Sequence, residues 1–313
     1  MNSGKVFILT EGGKNIGFGH VTRCIALYQA LEERGIESEL IINSDDTVRD
    51  LLKYKNYRLL NWLKQKPKFF KSVKNARIII IDSYLAGISI YKTLADTANL
   101  PIYIDDTKRL TYPRGIVVNG SIYAERLHYP KGEEKTYLLG IKYIPLRKVF
   151  WDAPKKVINK NISNILITFG GMKNPVLASG LMRYLKNEFN FKFTTVDNAK
   201  RTDAARMRDL MMRSDVCISG GGQTTYELAR CGVPAIGVSF ADNQLLNLRG
   251  WVKEGCLKFA GWHNDKNLFK KIKDALKILD YEKRVEMSLI GQKLVDGKGA
   301  NRFARKVLSL NGV

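Results

Sequence analysis

A short apolar run, Val6–Thr10, is followed closely by Gly17-Phe18-Gly19 and then by His20–Arg34, where Val21, Cys24, Ile25, Tyr28 and Leu31 recur at helical spacing. Strand, glycine turn and helix in that order restrict the fold more than any other feature, because consecutive parallel strands need a long crossover between them. The arrangement recurs along the first half. Further strand candidates are Glu39–Ile42, Arg77–Ile81, Ile102–Ile104 and Gly115–Val118, and helical patterns fill Thr47–Lys53, Asn61–Ser72 and Ile88–Ala98. This alternation predicts an α/β fold with a parallel sheet. The strands end in polar residues: Thr10-Glu11, Asp82-Ser83-Tyr84, Asp105-Asp106 and Asn119. In open α/β sheets ligands bind beyond the carboxyl ends of the strands, so these residues border the expected site.

At Phe150–Ser163 the periodicity stops in a stretch of proline, asparagines and lysines, the best linker candidate. A second alternating series follows. Asn164–Phe169 reads as a strand ending in Gly170-Gly171, Pro175–Glu188 as a helix, and Lys192–Val196 and Val216–Ser219 as strands. Gly220-Gly221-Gly222 then opens into a helix at Thr224–Cys231, Ala235–Val238 is another strand, and polar helical sequence runs to the end. Two domains are therefore expected, 1–150 and 151–313, the second closing with the C-terminal helices.

The 313 residues suffice for two cores. Cys24, Cys217, Cys231 and Cys256 are far apart and form no CxxC pair, which argues against a zinc site or a disulfide framework and fits a reducing compartment. The first apolar run is too short for a secretory signal, and no run approaches the roughly 20 residues that span a bilayer. A cytoplasmic protein without an integral membrane segment is expected. The net charge of +22 raises the question of nucleic acid, but the lysines and arginines are spread over the whole chain. Even the densest part, Lys53–Lys74, carries aromatics that fit a helix face packed on a sheet. Nucleic acid is not an expected partner. The charge better suits an anionic small molecule, and it allows a weak association with an anionic membrane surface.

Two stretches carry chemistry. At Ile16–Arg23 a helix start presents free backbone N–H groups suited to a phosphate, and His20 is an ionisable group able to act as a base near neutral pH. In the second half, the glycines at 220–222 let a ligand approach the backbone, and Gln223-Thr224-Thr225 supply donors for a phosphate. Glu227 falls one turn into the helix, where a carboxylate can accept both hydroxyls of a ribose. Asp242-Asn243-Gln244 and Asn247 follow the next strand. Asp105 and Asp106 are adjacent in an extended stretch and point to opposite faces, so only one can face a ligand. Asp82 has an alternative role beside His20 without touching substrate. His128 and His263 have no motif around them and read as surface or packing residues.

The segment from Gly220 to Asn247 resembles the donor-nucleotide site of the MurG-like GT-B glycosyltransferases. The whole chain is more similar to the PseG/SpsG-type hydrolases of pseudaminic acid biosynthesis, which act on UDP-2,4-diacetamido-2,4,6-trideoxy-β-L-altropyranose. The similarity rests on IGFGHVTRC, IIIDSY, YIDDT, VVNGS, GIKYIPLRKVF, ITFGG, GGGQTTYE and LVDGKGANRF, in that order. It implies a GT-B fold: two Rossmann-like domains whose parallel sheets face a central cleft that holds the active site. His20 then matches the histidine that activates water for inverting attack at the anomeric carbon, with UDP expelled and no metal or other cofactor. Tyr84 matches a tyrosine near the sugar. Gly17, Gly19 and Asn119 on one side, and Gly170, Gly171, Gly221, Gly222, Thr224, Glu227, Gln244 and Asn247 on the other, match nucleotide- or substrate-binding positions. Lys173 is a further cation able to screen phosphate. A histidine that can follow the aspartate in relatives is Ser83 here, so the sugar side of the site is open to difference. The alternative reading is an inverting glycosyltransferase with the same UDP-sugar donor, for which the basic, aromatic stretch Tyr54–Lys71 would suit a lipid acceptor.

Overall fold

The structure, a computed structural model, describes residues 4–74, 76–130, 132, 134–170, 174–196 and 203–310. The chain divides into two compact units, one formed by Met1–Lys148 with Lys298–Val313 and the other by Val149–Gly297. The first boundary falls beside the expected linker. The second differs from the expected division, because the final helix returns to the first unit.

In the first unit seven parallel strands form one sheet: β1 (Val6–Glu11), β2 (Ser38–Asn43), β3 (Tyr57–Leu59), β4 (Ala76–Asp82), β5 (Ala98–Ile104), β6 (Gly115–Asn119) and β7 (Lys135–Leu139). Their order across the sheet is β3-β2-β1-β4-β5-β6-β7. The central strands read as continuous apolar runs because helices cover both faces: Ile8 and Leu9 in β1 and Ile78–Ile81 in β4 are fully buried. The chain winds one way through β2 and β3, then returns past β1 to lay down β4. β1 and β4 thus flank the switch point, with Thr10 beside Asp82 in register.

Helix α1 (Gly19–Glu32) follows β1, and α2 (Lys66–Ser72) and α3 (Ile88–Thr97) follow β3 and β4. α1 is buried over most of its length, from His20 and Val21 to Leu31. It packs on β1 and β2 and against the C-terminal helix Gly299–Leu310. Arg34 fastens that helix, donating from Nη1 to Asn301 Oδ1 at 2.7 Å. The GANRF segment therefore serves as cover for α1. The expected helix Thr47–Lys53 is a 3₁₀ turn at Asp46–Leu52, capped by Asp45. Of the expected helix Asn61–Ser72 only the last two turns are helical.

The second unit has five parallel strands, β8 (Asn164–Thr168), β9 (Lys192–Thr195), β10 (Val216–Gly220), β11 (Ala235–Ser239) and β12 (Leu257–Trp262), in the order β12-β11-β10-β8-β9. Its helices are α4 (Pro175–Lys186), α5 (Ala204–Arg213), α6 (Thr224–Arg230), α7 (Asp242–Lys253), α8 (Leu268–Lys277) and α9 (Tyr281–Leu294). Here β8 and β10 flank the switch point. The linker is pinned to this unit. Buried Arg284 donates to the carbonyls of Asn159 and Lys160 at 2.9 and 2.8 Å, and Arg230 donates to those of Phe150 and Trp151.

Three strands were not expected from the sequence, β3, β7 and β12, and all three are sheet edges. Their residues are mostly half-exposed, and Arg58, Lys135 and Lys258 interrupt the apolar signal. Helix α5 was likewise unread; its sequence AARMRDLMMR buries one residue fully, Met211.

Candidate active site and nucleotide loop

Beyond the end of β1 the chain makes a tight excursion in which Gly13 and Gly17 exchange N–H···O=C bonds of 3.0 and 2.8 Å. Gly17 has φ +89°, a conformation that glycine adopts without a steric penalty. α1 starts at Gly19, one residue earlier than expected, and Phe18 at its cap contributes no side-chain cap bond. Gly19 is exposed, and a Cβ built there would meet nothing within 4 Å. His20, in the first turn, is 9% exposed.

His20 and the last residue of the neighbouring strand meet at the switch point. Its Nδ1 lies 2.7 Å from Asp82 Oδ1 at the end of β4. Arg23, one turn along α1, donates from Nε to Asp82 Oδ2 and from Nη2 to Asp82 Oδ1, both at 2.7 Å. Burial by itself would raise the Asp82 carboxyl, but the Arg23 guanidinium and His20 outweigh it and hold the carboxyl well below the usual range. Asp82 is thus an anion, and the hydrogen-bond network assigns the His20 proton to Nδ1, facing it. Arg23 Nη2 is 3.0 Å from the same ring nitrogen. Among the described residues Nε2 has no hydrogen-bond partner.

Tyr84 completes the cluster. Its ring meets that of His20 edge-on, with centroids 4.6 Å apart. Its hydroxyl donates to Asp106 Oδ2, which Arg23 Nη1 also approaches, at 3.4 Å. Burial, then the Asp106 carboxylate, push the Tyr84 phenol far upward, so it stays protonated. Asp105 turns elsewhere: Oδ1 accepts from the amides of Asp106 and Thr107, and Oδ2 accepts from the Tyr129 hydroxyl at 2.6 Å. The two adjacent aspartates do part, and Asp106 is the one that meets Tyr84 and Arg23.

Asn119, expected to touch substrate, is fully buried. Its Oδ1 accepts from Ser121 N and Oγ, and its Nδ2 donates to the Tyr129 hydroxyl, so it shapes the turn after β6. Arg23 was not among the expected site residues, and Asp106 was weighed only as one of an adjacent pair of which one could face a ligand. The signal available for Arg23 was its position one helical turn after His20.

In the second unit the ends of β8 and β10 carry the glycines. Gly170 has φ +64°, and a Cβ there would lie 3.8 Å from Thr224 Oγ1, so these residues face each other across the switch point. Gly171 and Lys173 lie outside the described residues. Gly221 is closely packed: a Cβ would come within 2.7 Å of Leu248 Cγ and 2.9 Å of Gln244 Cβ. Gly222 is exposed and open, with nothing within 4 Å of such a Cβ. Glu227 is buried in the first turn of α6.

Gln244 and Asn247, expected near sugar and phosphate, brace this loop from behind. Gln244 Oε1 accepts from the amides of Gly221 and Phe240 at 3.2 and 3.1 Å. Asn247 Nδ2 donates to Gly221 O and Thr225 Oγ1, while its Oδ1 accepts from the Tyr226 hydroxyl. Both amide atoms of Asn247 are spent on the protein. Asn247 and the Gln244 Oε1 thus hold the loop, a use of amides that spacing alone does not distinguish from ligand binding. His263 packs face to face on Phe240, as expected of a packing residue. Among the described residues no helix is long and apolar enough to cross a membrane, and no cluster of three or more candidate metal ligands occurs.

No family model matches the chain. It is 24% identical, over 268 residues and 81% of its length, to the Helicobacter pylori pseudaminic acid cytidylyltransferase and UDP-2,4-diacetamido-2,4,6-trideoxy-beta-L-altropyranose hydrolase. That match takes in 48% of the Helicobacter protein, so the chain spans about half the length of this relative. It is 23% identical over 333 aligned positions to the Bacillus subtilis spore coat polysaccharide biosynthesis protein SpsG, covering 95% of this chain and 96% of that one. Among solved structures, Acinetobacter baumannii MurG matches 97% of this chain and 99% of its own, with a TM-score of 0.70 at 14% identity. The resemblance to the PseG/SpsG proteins therefore runs through most of the chain, and the fold is GT-B, α/β with two Rossmann-like units.

Proposed function

We propose that the chain is a hydrolase of a UDP-activated amino-deoxysugar, UDP-2,4-diacetamido-2,4,6-trideoxy-β-L-altrose or a close relative, serving nonulosonic acid synthesis. The observation that carries this reading is the His20–Asp82 contact of 2.7 Å. With its proton on Nδ1 and donated to a carboxylate, the imidazole keeps a lone pair on Nε2 and can take a proton from water. The water attacks the anomeric carbon, the bond from that carbon to the diphosphate oxygen breaks, and UDP leaves with the electron pair. The sugar configuration inverts. Asp82 holds the ring in the productive tautomer and stabilises the imidazolium that forms, as in other carboxylate–histidine pairs.

The remaining tasks are binding and charge stabilisation. UDP is already a capable leaving group, so the protein has chiefly to orient water and neutralise the departing diphosphate. In this reading the amides at the start of α1, at Gly19, face a phosphate. In the second unit Gly170, Gly171, Gly221, Gly222 and Thr224 bind nucleotide, and Glu227 receives the ribose hydroxyls. Gln244 and Asn247 act through the loop they brace, and Asn119 through the turn after β6. Tyr84 stands over His20 at the sugar. Work at a soluble, cytoplasmic UDP-sugar follows from the same reading, without nucleic acid as partner. The similarity to the Helicobacter and Bacillus proteins supports the substrate class.

The test is release of UDP from a panel of UDP-sugars with no acceptor present and with EDTA added. Turnover of the diacetamido-trideoxy sugar under those conditions is expected. Release that requires an added sugar or lipid acceptor would instead identify a transferase, the reading that the fold shared with MurG keeps as the rival.

A further inference from the structure

We propose that Glu11 is a positioning residue for Tyr84, a role that rests on the hydrolase reading for its kinetic consequence but not for its geometry. Glu11 ends β1 and is fully buried. A buried carboxylate is costly unless its charge is met by strong donors. Among the described residues Glu11 makes no ion pair. Its donors all come from one short stretch of chain, the turn after β4. Oε1 accepts from the amides of Tyr84 at 2.6 Å and Leu85 at 3.1 Å, and Oε2 accepts from the Ser83 hydroxyl.

That turn is held on its other sides as well. Ser83 Oγ accepts from the Ala86 amide at 3.0 Å, and Arg109 Nη2 donates to the carbonyls of Ser83 and Ala86 at 2.9 and 3.0 Å. Its buried polar atoms therefore fix the backbone, while the Tyr84 side chain leaves it to meet His20 and Asp106. An apolar residue at position 11 would be the cheaper way to fill a strand end. The carboxylate does what an apolar side chain cannot: it grips two consecutive amides and so sets where the Tyr84 Cα sits. Ser83 supplies the hydroxyl this grip uses. Glu11 and Ser83 together form a local anchor that makes the phenol's reach to the His20 cluster reproducible, and misplacement of a catalytic group by about 1 Å can cost on the order of 100-fold in rate.

The experiment is a double-mutant cycle on the full chain, with Glu11→Gln, Ser83→Ala and Tyr84→Phe, read by kinetics and by NMR of ¹³C-labelled tyrosine rings. Glu11→Gln keeps the shape and is expected to lower kcat about tenfold while leaving UDP affinity within twofold. In the Tyr84→Phe background the same change is expected to cost less than twofold, because the group it positions is already gone. Ser83→Ala, the milder variant, is expected to follow the same pattern at smaller size. The Tyr84 ring resonance should shift or broaden in Glu11→Gln and Ser83→Ala while that of Tyr184, in the other unit, stays put. Equal kcat losses in both backgrounds, or an unmoved Tyr84 resonance, would overturn the proposal. Absence of turnover in the wild-type chain would count against the hydrolase reading alone, since the NMR arm tests the anchor without substrate.

Discussion

His20 Nδ1 and Asp82 Oδ1 are 2.7 Å apart although 62 residues separate them in the chain. The contact exists because β1 and β4 are neighbours at the switch point, which brings the helix after one strand over the end of the other. Asp82→Asn keeps the volume but presents an amide to the imidazole and favours the wrong tautomer. The variant is expected to lose about 10³- to 10⁴-fold in kcat, the scale seen when such a pair is broken elsewhere. UDP affinity, measured by calorimetry, should stay within a few-fold.

The same aspartate predicts a signature in acid. Its folded-state pKa is depressed, so its stabilising contribution is complete above the unfolded-state value of about 3.9 and is lost as pH falls below that, through the folded value. Urea unfolding between pH 6 and pH 3 should show stability falling more steeply below about pH 4 in the wild type than in Asp82→Asn. Parallel slopes would contradict the assignment of Asp82 as the buried anion.

Tyr84 has the opposite disposition, its phenol held protonated by burial and by Asp106. The kcat/KM profile on this account shows no alkaline limb from Tyr84. A kcat/KM profile of wild type and Tyr84→Phe should differ in height, by about tenfold or more, and not in shape. An alkaline limb present in wild type and missing in Tyr84→Phe would show that the phenol ionises in the working range.

Gly221 and Gly222 are neighbours with different reasons to be glycine. Alanine at 221 collides with Leu248 and Gln244, and is expected to cost about 1–3 kcal/mol of stability. Alanine at 222 has room within the protein. It should leave the melting temperature near that of wild type and weaken UDP about tenfold, because a methyl group there would obstruct the proposed approach of the nucleotide to the backbone. Paired thermal melts and UDP titrations separate the two. Gly222→Ala with unchanged UDP affinity would remove Gly222 from the nucleotide site.

The sequence carried the architecture well where strands are buried on both faces. β1, β4, β8 and β10 are runs of apolar residues with glycine or polar residues at their ends, and those ends are the two switch points. Edge strands β3, β7 and β12 escaped because half-exposed strands dilute the apolar signal. The return of the C-terminal helix to α1 is a tertiary fact with no local signal. Within the candidate site, His20 stood out by its place at a helix start after a strand and glycine turn, Tyr84 through the resemblance, and Asp82 was weighed as a neighbour of His20. Arg23 and Asp106 join the cluster through contacts spanning 59 and 83 residues, beyond any spacing rule. Asn119, Gln244 and Asn247 illustrate the reverse. Their residue types suit a ligand, but both amide atoms of Asn119 and Asn247, and the Oε1 of Gln244, are engaged by the surrounding backbone and side chains.

The most direct measurement is hydrolysis of the UDP-linked diacetamido-trideoxy-altrose in ¹⁸O-enriched water, followed by NMR and mass spectrometry, with wild type beside His20→Asn. The account predicts free sugar released as the inverted anomer with ¹⁸O at its anomeric carbon, unlabelled UDP, and no detectable turnover by His20→Asn at near-normal UDP affinity. Label in UDP, or full activity of His20→Asn, would contradict it.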